Sequence, residues 1–150
     1  MSHVSLPELQ VWAERSKLNF TQIDSDLDEA ISASVLSRLA PVYNTATWTT
    51  STATPSLVRK IIAMEYVSWK ISAAYAGDET ESDYALRLLG MAESLIAGLV
   101  AGTTVLTDAT DQPVNDEQAS FYPNDSSSAL EPTCDDRSLG GPVFTMGVLW

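Results

Sequence analysis

The chain has 150 residues, enough for one domain and small for two. Its apolar content of 45% can fill a core, while 20 acidic residues against 8 basic ones give a net charge of −12. Lys and Arg neutralising phosphates supply most of a protein's affinity for nucleic acid, and no basic cluster here exceeds Arg59-Lys60, so wrapping or reading DNA is not expected. The same sign of charge suits a protein that lets DNA pass without sticking.

One cysteine, Cys134, has no partner to staple the fold, and its neighbours Asp135 and Asp136 disfavour a thiolate. The start, "MSHVSLPELQVW", lacks a basic region followed by an apolar stretch, so no signal peptide is expected. The most apolar window, "SLIAGLVAG", is too short to cross a bilayer. The expectation is a chain made in the cytoplasm and not inserted in a membrane.

A first short helix is expected over residues 5–18, with Pro7 in its first turn and Leu9, Trp12 and Ala13 on one face. The stretch "TQIDSDLDEAISASVLSRLAP" predicts a second, with Thr21 as N-cap and Asp24 three residues on, close to a capping box. Asp24, Asp26, Asp28 and Glu29 crowd its early turns, where the helix dipole favours negative charge, and Arg38 sits near its end. Ile23, Leu27, Ile31, Val35 and Leu39 recur every four residues until Pro41 stops the run.

A polar, β-branched loop, "YNTATWTTSTAT", precedes the strongest helical pattern, "TPSLVRKIIAMEYVSWKISAAYAG". Thr54 is its expected cap, Pro55 its first residue and Gly77 its left-handed C-terminal residue. It carries two apolar stripes: Leu57, Ile61, Met64, Ile71 and Tyr75, then Val58, Ile62, Tyr66, Trp69 and Ala73. A helix apolar on most of its circumference is buried on more than one side. In so small a domain the second side is assigned to a neighbouring subunit, with Val58, Ile62, Tyr66 and Trp69 as interface candidates. A last helix is expected from Ser82 to Ala101, with Tyr84, Leu88, Met91, Leu95 and Leu99 on one face. Gly90, Gly98 and Gly102 admit a close backbone or end the helix, and "TTVLTD" reads as a short strand.

Beyond about Asp108 the periodicity stops. The run "DATDQPVNDEQASFYPNDSSSALEPTCDDRSLGG" holds Pro113, Pro123, Pro132 and a serine triplet, the composition of a disordered segment or of an arm that orders on a partner. The expected fold is therefore mainly α: a small helical bundle of three to four helices over 1–108, with a long extended C-terminal arm over 109–150. The arm ends in "GGPVFTMGVLW", the greasiest peptide in the chain.

Catalytic and metal chemistry find little to work with. His3 is the single histidine, at an N-terminus expected to be mobile, which removes Ser-His-Asp and Cys-His catalysis and zinc sites needing two imidazoles. Acids at 108, 111, 116 and 117 lack the spacing and central glycine of an EF-hand loop. Asp24, Asp26, Asp28 and Glu29 are explained by capping and dipole matching rather than by acid–base work. No glycine-rich phosphate loop is present, because "SLGGP" leads to neither a lysine nor a helix start. No enzyme, cofactor or metal is expected.

The order of elements (a short helix, an Asp-rich amphipathic helix, a Trp-containing loop, then two long helices) resembles the head-to-tail adaptor, or connector, proteins of tailed bacteriophages. The tail "FYPNDSSSALEPTCDDRSLGGPVFTMGVLW" is similar to the C-termini of such proteins in phages of actinobacteria, and "DDRSLGGPVFTMG" is its most telling piece. The resemblance covers nearly the whole chain. It implies a virion protein of the neck: a helical domain assembling as a twelve-fold ring of copies beneath the portal protein, above a stopper or tail component, and forming part of the DNA channel. It also implies that an arm from about Asp111 to Trp150 reaches toward the portal.

The portal-docking anchor would be Phe144, Met146, Val148, Leu149 and Trp150, with Gly140 and Gly141 supplying turn freedom and Pro142 stiffening the peptide beyond it. Phe144, Met146, Leu149 and Trp150 would each contribute about 1.5–3 kcal/mol if fully buried, partly offset by ordering and association costs. Repetition around a ring compensates through effective concentration. The other reading of the same peptide is a tail that folds back onto its own core. Two further functions stay open: another neck component, such as a β-richer stopper or tail-completion protein, and a small helical regulatory binding module.

Overall fold

The computed structural model of the chain describes residues 2–108 and Val114, all within a compact unit that runs Met1–Glu117. The described region is mainly helical. It holds α1 (Leu6–Ala13), α2 (Ser25–Leu39), α3 (Ser56–Ala74) and α4 (Glu79–Ala101), with a 3-10 turn at Thr45–Thr47. The expected extended arm and its anchor, Gly140 to Trp150, lie outside the described residues.

The centre of the bundle is α3, on which α1, α2 and α4 all pack. Val58, Ile61, Ile62, Ala63, Met64, Tyr66, Val67 and Ile71 are buried along it. This accounts for the two apolar stripes without a second subunit. Val58, Ile62 and Tyr66 are fully buried within one chain, which corrects their expected place at a subunit interface. Tyr66 packs its ring on Phe20, 5.8 Å between centroids. Of the four candidates only Trp69 stands out of the core, 52% exposed.

Helix ends differ from expectation by local hydrogen bonding. α1 stops at Ala13 instead of residue 18, because Glu14, Arg15, Ser16 and Lys17 offer no further apolar face and the chain turns so that Leu18 and Phe20 can pack. α2 begins at Ser25 with Asp24, not Thr21, as its N-cap: the Asp24 carboxylate accepts from the Leu27 N–H at 3.3 Å. Asp24 is held there because its own N–H donates to the buried Tyr66 hydroxyl at 2.8 Å.

Pro55 is the N-cap of α3 rather than its first residue, and Thr54 donates its hydroxyl to the Thr50 carbonyl at 2.7 Å, closing the loop instead of capping the helix. That loop is not wholly polar in role. Trp48 is buried and lies 6.1 Å from the Tyr43 ring. The Tyr75 N–H bonds back to Ile71, and Asp78 comes shortly after as the N-cap of α4, accepting from Thr80 N–H and Glu81 N–H. A left-handed Gly77 is therefore not needed. Gly102, at φ 79°, is the one glycine in that region of backbone among the described residues, and it caps α4 as expected.

α4 starts three residues earlier than expected. It buries Ala85, Leu88, Ala92, Ile96 and Leu99, while Tyr84 and Leu95 are half-buried and Met91 is exposed. After Gly102 the chain doubles back, so that a Cβ on Gly98 would collide with the Thr104 hydroxyl, whereas Gly90 faces open space. Residues 103–108 form no continuous strand, only an isolated β-bridge at Thr107. Leu106 is buried, and its carbonyl accepts a bond from Val114 N–H at 2.8 Å. By length and composition α4 is long and apolar enough to cross a membrane, with mean hydropathy 1.4 in its most apolar window. The nine-residue stretch "SLIAGLVAG" understated it. The core helix of a bundle meets the same criterion, and here the core stripe of α4 packs on α3.

Candidate interaction face

Two partly apolar depressions flank α4, each built by α4 and a different neighbour. The first is a groove floored by α3 (Glu65, Ser68, Trp69 and Ser72), walled by Ile31, Ser34 and Arg38 of α2 and by Leu89 and Glu93 of α4. It exists because α2 and α4 each pack on α3 and touch each other little. Ser68 donates its hydroxyl to the Ala85 carbonyl at 2.8 Å, which ties the floor to α4.

Arg38 is the polar hub of this groove. Its Nη2 donates to both carboxylate oxygens of Glu65, at 2.7 and 2.8 Å, and Nη1 lies 3.5 Å from Glu93. Glu65 is nearly covered, while the Glu93 side chain is 61% exposed. Next to the groove, Lys70 Nζ sits 5.9 Å from the ring centroids of both Trp69 and Tyr66 and 3.3 Å from Asp24. The Leu27 N–H bonded to Asp24, with Lys70 beside it, holds the Asp24 carboxyl below its usual range.

The second depression lies between α1 and α4 and is lined by Val11, Trp12, Glu14, Arg15, Tyr84, Arg87, Leu88 and Met91. Tyr84 bridges its walls, donating its hydroxyl to the Trp12 carbonyl at 2.7 Å. Burial pushes the Tyr84 phenol up, against the opposing fields of Arg15 and Arg87. Neither arginine makes an ion pair among the described residues, whereas Lys17, Arg38, Arg59 and Lys70 all do.

His3 is not loose. Its N–H donates to the Asp28 carboxylate at 3.0 Å, and its Nε2 lies 3.2 Å from the Trp48 carbonyl. Asp28 in turn is fully buried, with Ser32 one turn later, so it serves the N-terminal clasp rather than dipole matching at the surface. The fourfold spacing of Ile23, Leu27 and Ile31 concealed this, because those residues pack only partly and the inward line holds Asp28 and Ser32. Glu81, also buried, accepts from the Lys17 N–H at 3.2 Å. Asp78 pairs with Lys17 Nζ at 2.6 Å; that bond holds the Asp78 carboxyl low and the Lys17 ammonium pKa high.

Among the described residues no group of three or more His, Cys, Asp and Glu side chains is placed to hold a metal ion. Of the acids that a calcium loop would draw on, Asp108 is described and exposed; those at 111, 116 and 117 lie outside the described residues. Exposed Trp69 and Leu89 on one side of α4, and Val11 and Met91 on the other, are groups suited to contact with protein. No family model, curated protein or solved structure matches the chain.

Proposed function

We propose that the chain is a head-to-tail adaptor of a tailed bacteriophage: a virion protein of the neck, made in the host cytoplasm. Copies of it form a ring between the portal and the stopper or tail component, around a channel through which DNA passes without specific binding. The observation that carries the reading is the succession of a short helix, an acidic amphipathic helix, a Trp-bearing loop and two long helices, closed by the acidic, proline-interrupted segment that ends "DDRSLGGPVFTMGVLW". A mainly helical described region without strands favours it over a β-richer neck component. A charge of −12 on each copy repels the DNA backbone along such a channel.

In this reading Phe144, Met146, Val148, Leu149 and Trp150 dock on the portal, beyond the Gly140-Gly141-Pro142 turn. Electron cryomicroscopy of the neck of the corresponding virion tests the proposal. The expected result is a ring of four-helix subunits directly beneath the portal, with a C-terminal segment rising to it. A neck built without this chain would overturn it.

A further inference from the structure

Five buried polar side-chain atoms have no hydrogen-bond partner among the described residues: His3 Nδ1, Asp28 Oδ1, Ser32 Oγ, Arg59 Nε and Glu81 Oε1. All five gather on one seam, between residues 2–20 and the rest of the bundle. His3 lies in that segment and gives its N–H to Asp28 of α2. Ser32 follows one turn after Asp28 on the same face. Arg59 of α3 pairs with Glu8 of α1 at 2.7 Å, and Glu81 of α4 accepts from the Lys17 N–H. A buried polar atom left unpaired weakens closure of its seam by roughly five- to a hundredfold. Between α3 and α4, by contrast, the buried Ser68 hydroxyl is satisfied by the Ala85 carbonyl.

The segment across this seam has little stability of its own. α1 is 8 residues long, and isolated helices shorter than about 12–15 residues are marginal in water. α2, α3 and α4 run to 15, 19 and 23 residues. No glycine caps the end of α1, where Glu14 keeps helical angles. Val4, Leu9, Ala13 and Phe20 are buried against the bundle, so the segment is ordered by docking. A hinge follows it. Residues 21–23 belong to no helix, and Asp24 beyond them is fixed by the Tyr66 hydroxyl.

We infer that residues 2–20 are a clasp that opens as one unit about residues 21–23, while α2, α3 and α4 stay packed. The bonds at Asp28, Arg59 and Glu81, with that from Tyr84 to the Trp12 carbonyl, are its latches. Opening lifts Phe20 off the Tyr66 ring and bares that stretch of α3. The bundle then shows an apolar face that the closed clasp hides, and a partner that binds this face shifts the population toward the open form. Release of the clasp needs neither a ring nor a portal.

Native-state hydrogen exchange on the full chain, followed residue by residue by NMR, tests the clasp. The amides of residues 9–13 and of Lys17 are expected to share one opening, at least about tenfold more populated than that of residues 61–67. That opening should also depend less on urea, because it exposes less surface. Tyr84→Phe removes one latch and speeds exchange at residues 9–13 and Lys17 by roughly two- to tenfold. Ile61→Val acts on the far side of α3: Ile61 is fully buried and lies about 160° around the helix from Arg59, in line with Ser68. It speeds exchange at residues 61–67 by roughly two- to tenfold. The bundle is common to the closed and open clasp, so residues 9–13 and Lys17 keep their native rates.

Protection of α1 equal to that of α3 would overturn the clasp. So would rates graded residue by residue along α1, which mean fraying from its ends. Ile61→Val speeding residues 9–13 and α3 alike would also overturn it, because the domain then opens only as a whole.

Discussion

Tyr66 and Trp69 sit one helical turn apart on α3, and substituting each with alanine separates core from surface. Tyr66 is fully buried, packs on Phe20 and accepts the Asp24 N–H at 2.8 Å. Truncating a large buried aromatic costs about 3–5 kcal/mol, and the lost hydrogen bond adds about 1 kcal/mol. Against a total stability of about 5–15 kcal/mol for a domain, Tyr66→Ala leaves a marginal or unfolded chain. Tyr66→Phe keeps the ring and forfeits only the hydrogen bond, lowering Tm by about 4–8 °C for each 1 kcal/mol in a domain of this size. Trp69 is 52% exposed, so roughly 120 Å² of a side chain of up to about 250 Å² is covered. At about 25 cal/mol per Å² this gives 3 kcal/mol as an upper bound, and about 2 kcal/mol once a compact unfolded chain is allowed for. Urea melts of the three variants, read by tryptophan fluorescence and far-UV circular dichroism, order them Tyr66→Ala, Trp69→Ala, Tyr66→Phe in decreasing loss. Tyr66→Ala within 1 kcal/mol of the native chain would refute the placement of Tyr66 in the core and return it to an interface.

Gly90→Ala is expected to raise stability by about 0.5–1 kcal/mol, because alanine gains helix propensity where nothing opposes a Cβ, while Gly98→Ala lowers it by collision with Thr104 and Gly102→Ala lowers it by strain at φ 79°. Thermal melts of the three variants check the signs. On acidification, Asp24 and Asp78 contribute stability that is fully present above their ordinary value of 3.8 and is lost as pH falls through their depressed folded values. Melts from pH 7 down to about 2 should therefore show stability falling below that value, and falling less in Asp24→Asn and Asp78→Asn. The free chain should not be retained on duplex DNA at about 50 mM salt, where phosphate contacts are strongest; retention in a gel-shift experiment would contradict the channel reading.

The helices were legible where periodicity and end signals agreed. Val35, Leu39, Ile61, Leu88 and Leu99 all lie in the core as their spacing implied, and Gly102 ends α4 in the left-handed conformation that only glycine adopts cheaply. What escaped the sequence was set by contacts distant along the chain. Asp24 displaces Thr21 as a cap because the Tyr66 hydroxyl, 42 residues on, receives its N–H. Asp28 is buried because residue 3 comes back across α2. Val58, Ile62 and Tyr66 looked like an interface because pattern alone does not reveal how many helices surround α3, and three of them do. The charged lining of the two depressions carries no spacing motif. Arg38 and Glu65 meet across 27 residues, and Arg15 and Arg87 across more, so only the packed bundle brings them together.

The adaptor reading stands or falls on portal capture. The full chain and a chain ending at Leu139 are each co-expressed with the tagged portal protein of the same phage genome, and bound material is quantified beside melts of the free proteins. The account predicts that the two chains melt alike, since residues 140–150 supply apolar anchors to an interface and not to the bundle, and that the full chain is captured while the shortened one is lost. Capture of neither chain, or a melting temperature that drops on truncation as large core side chains are removed, would contradict it.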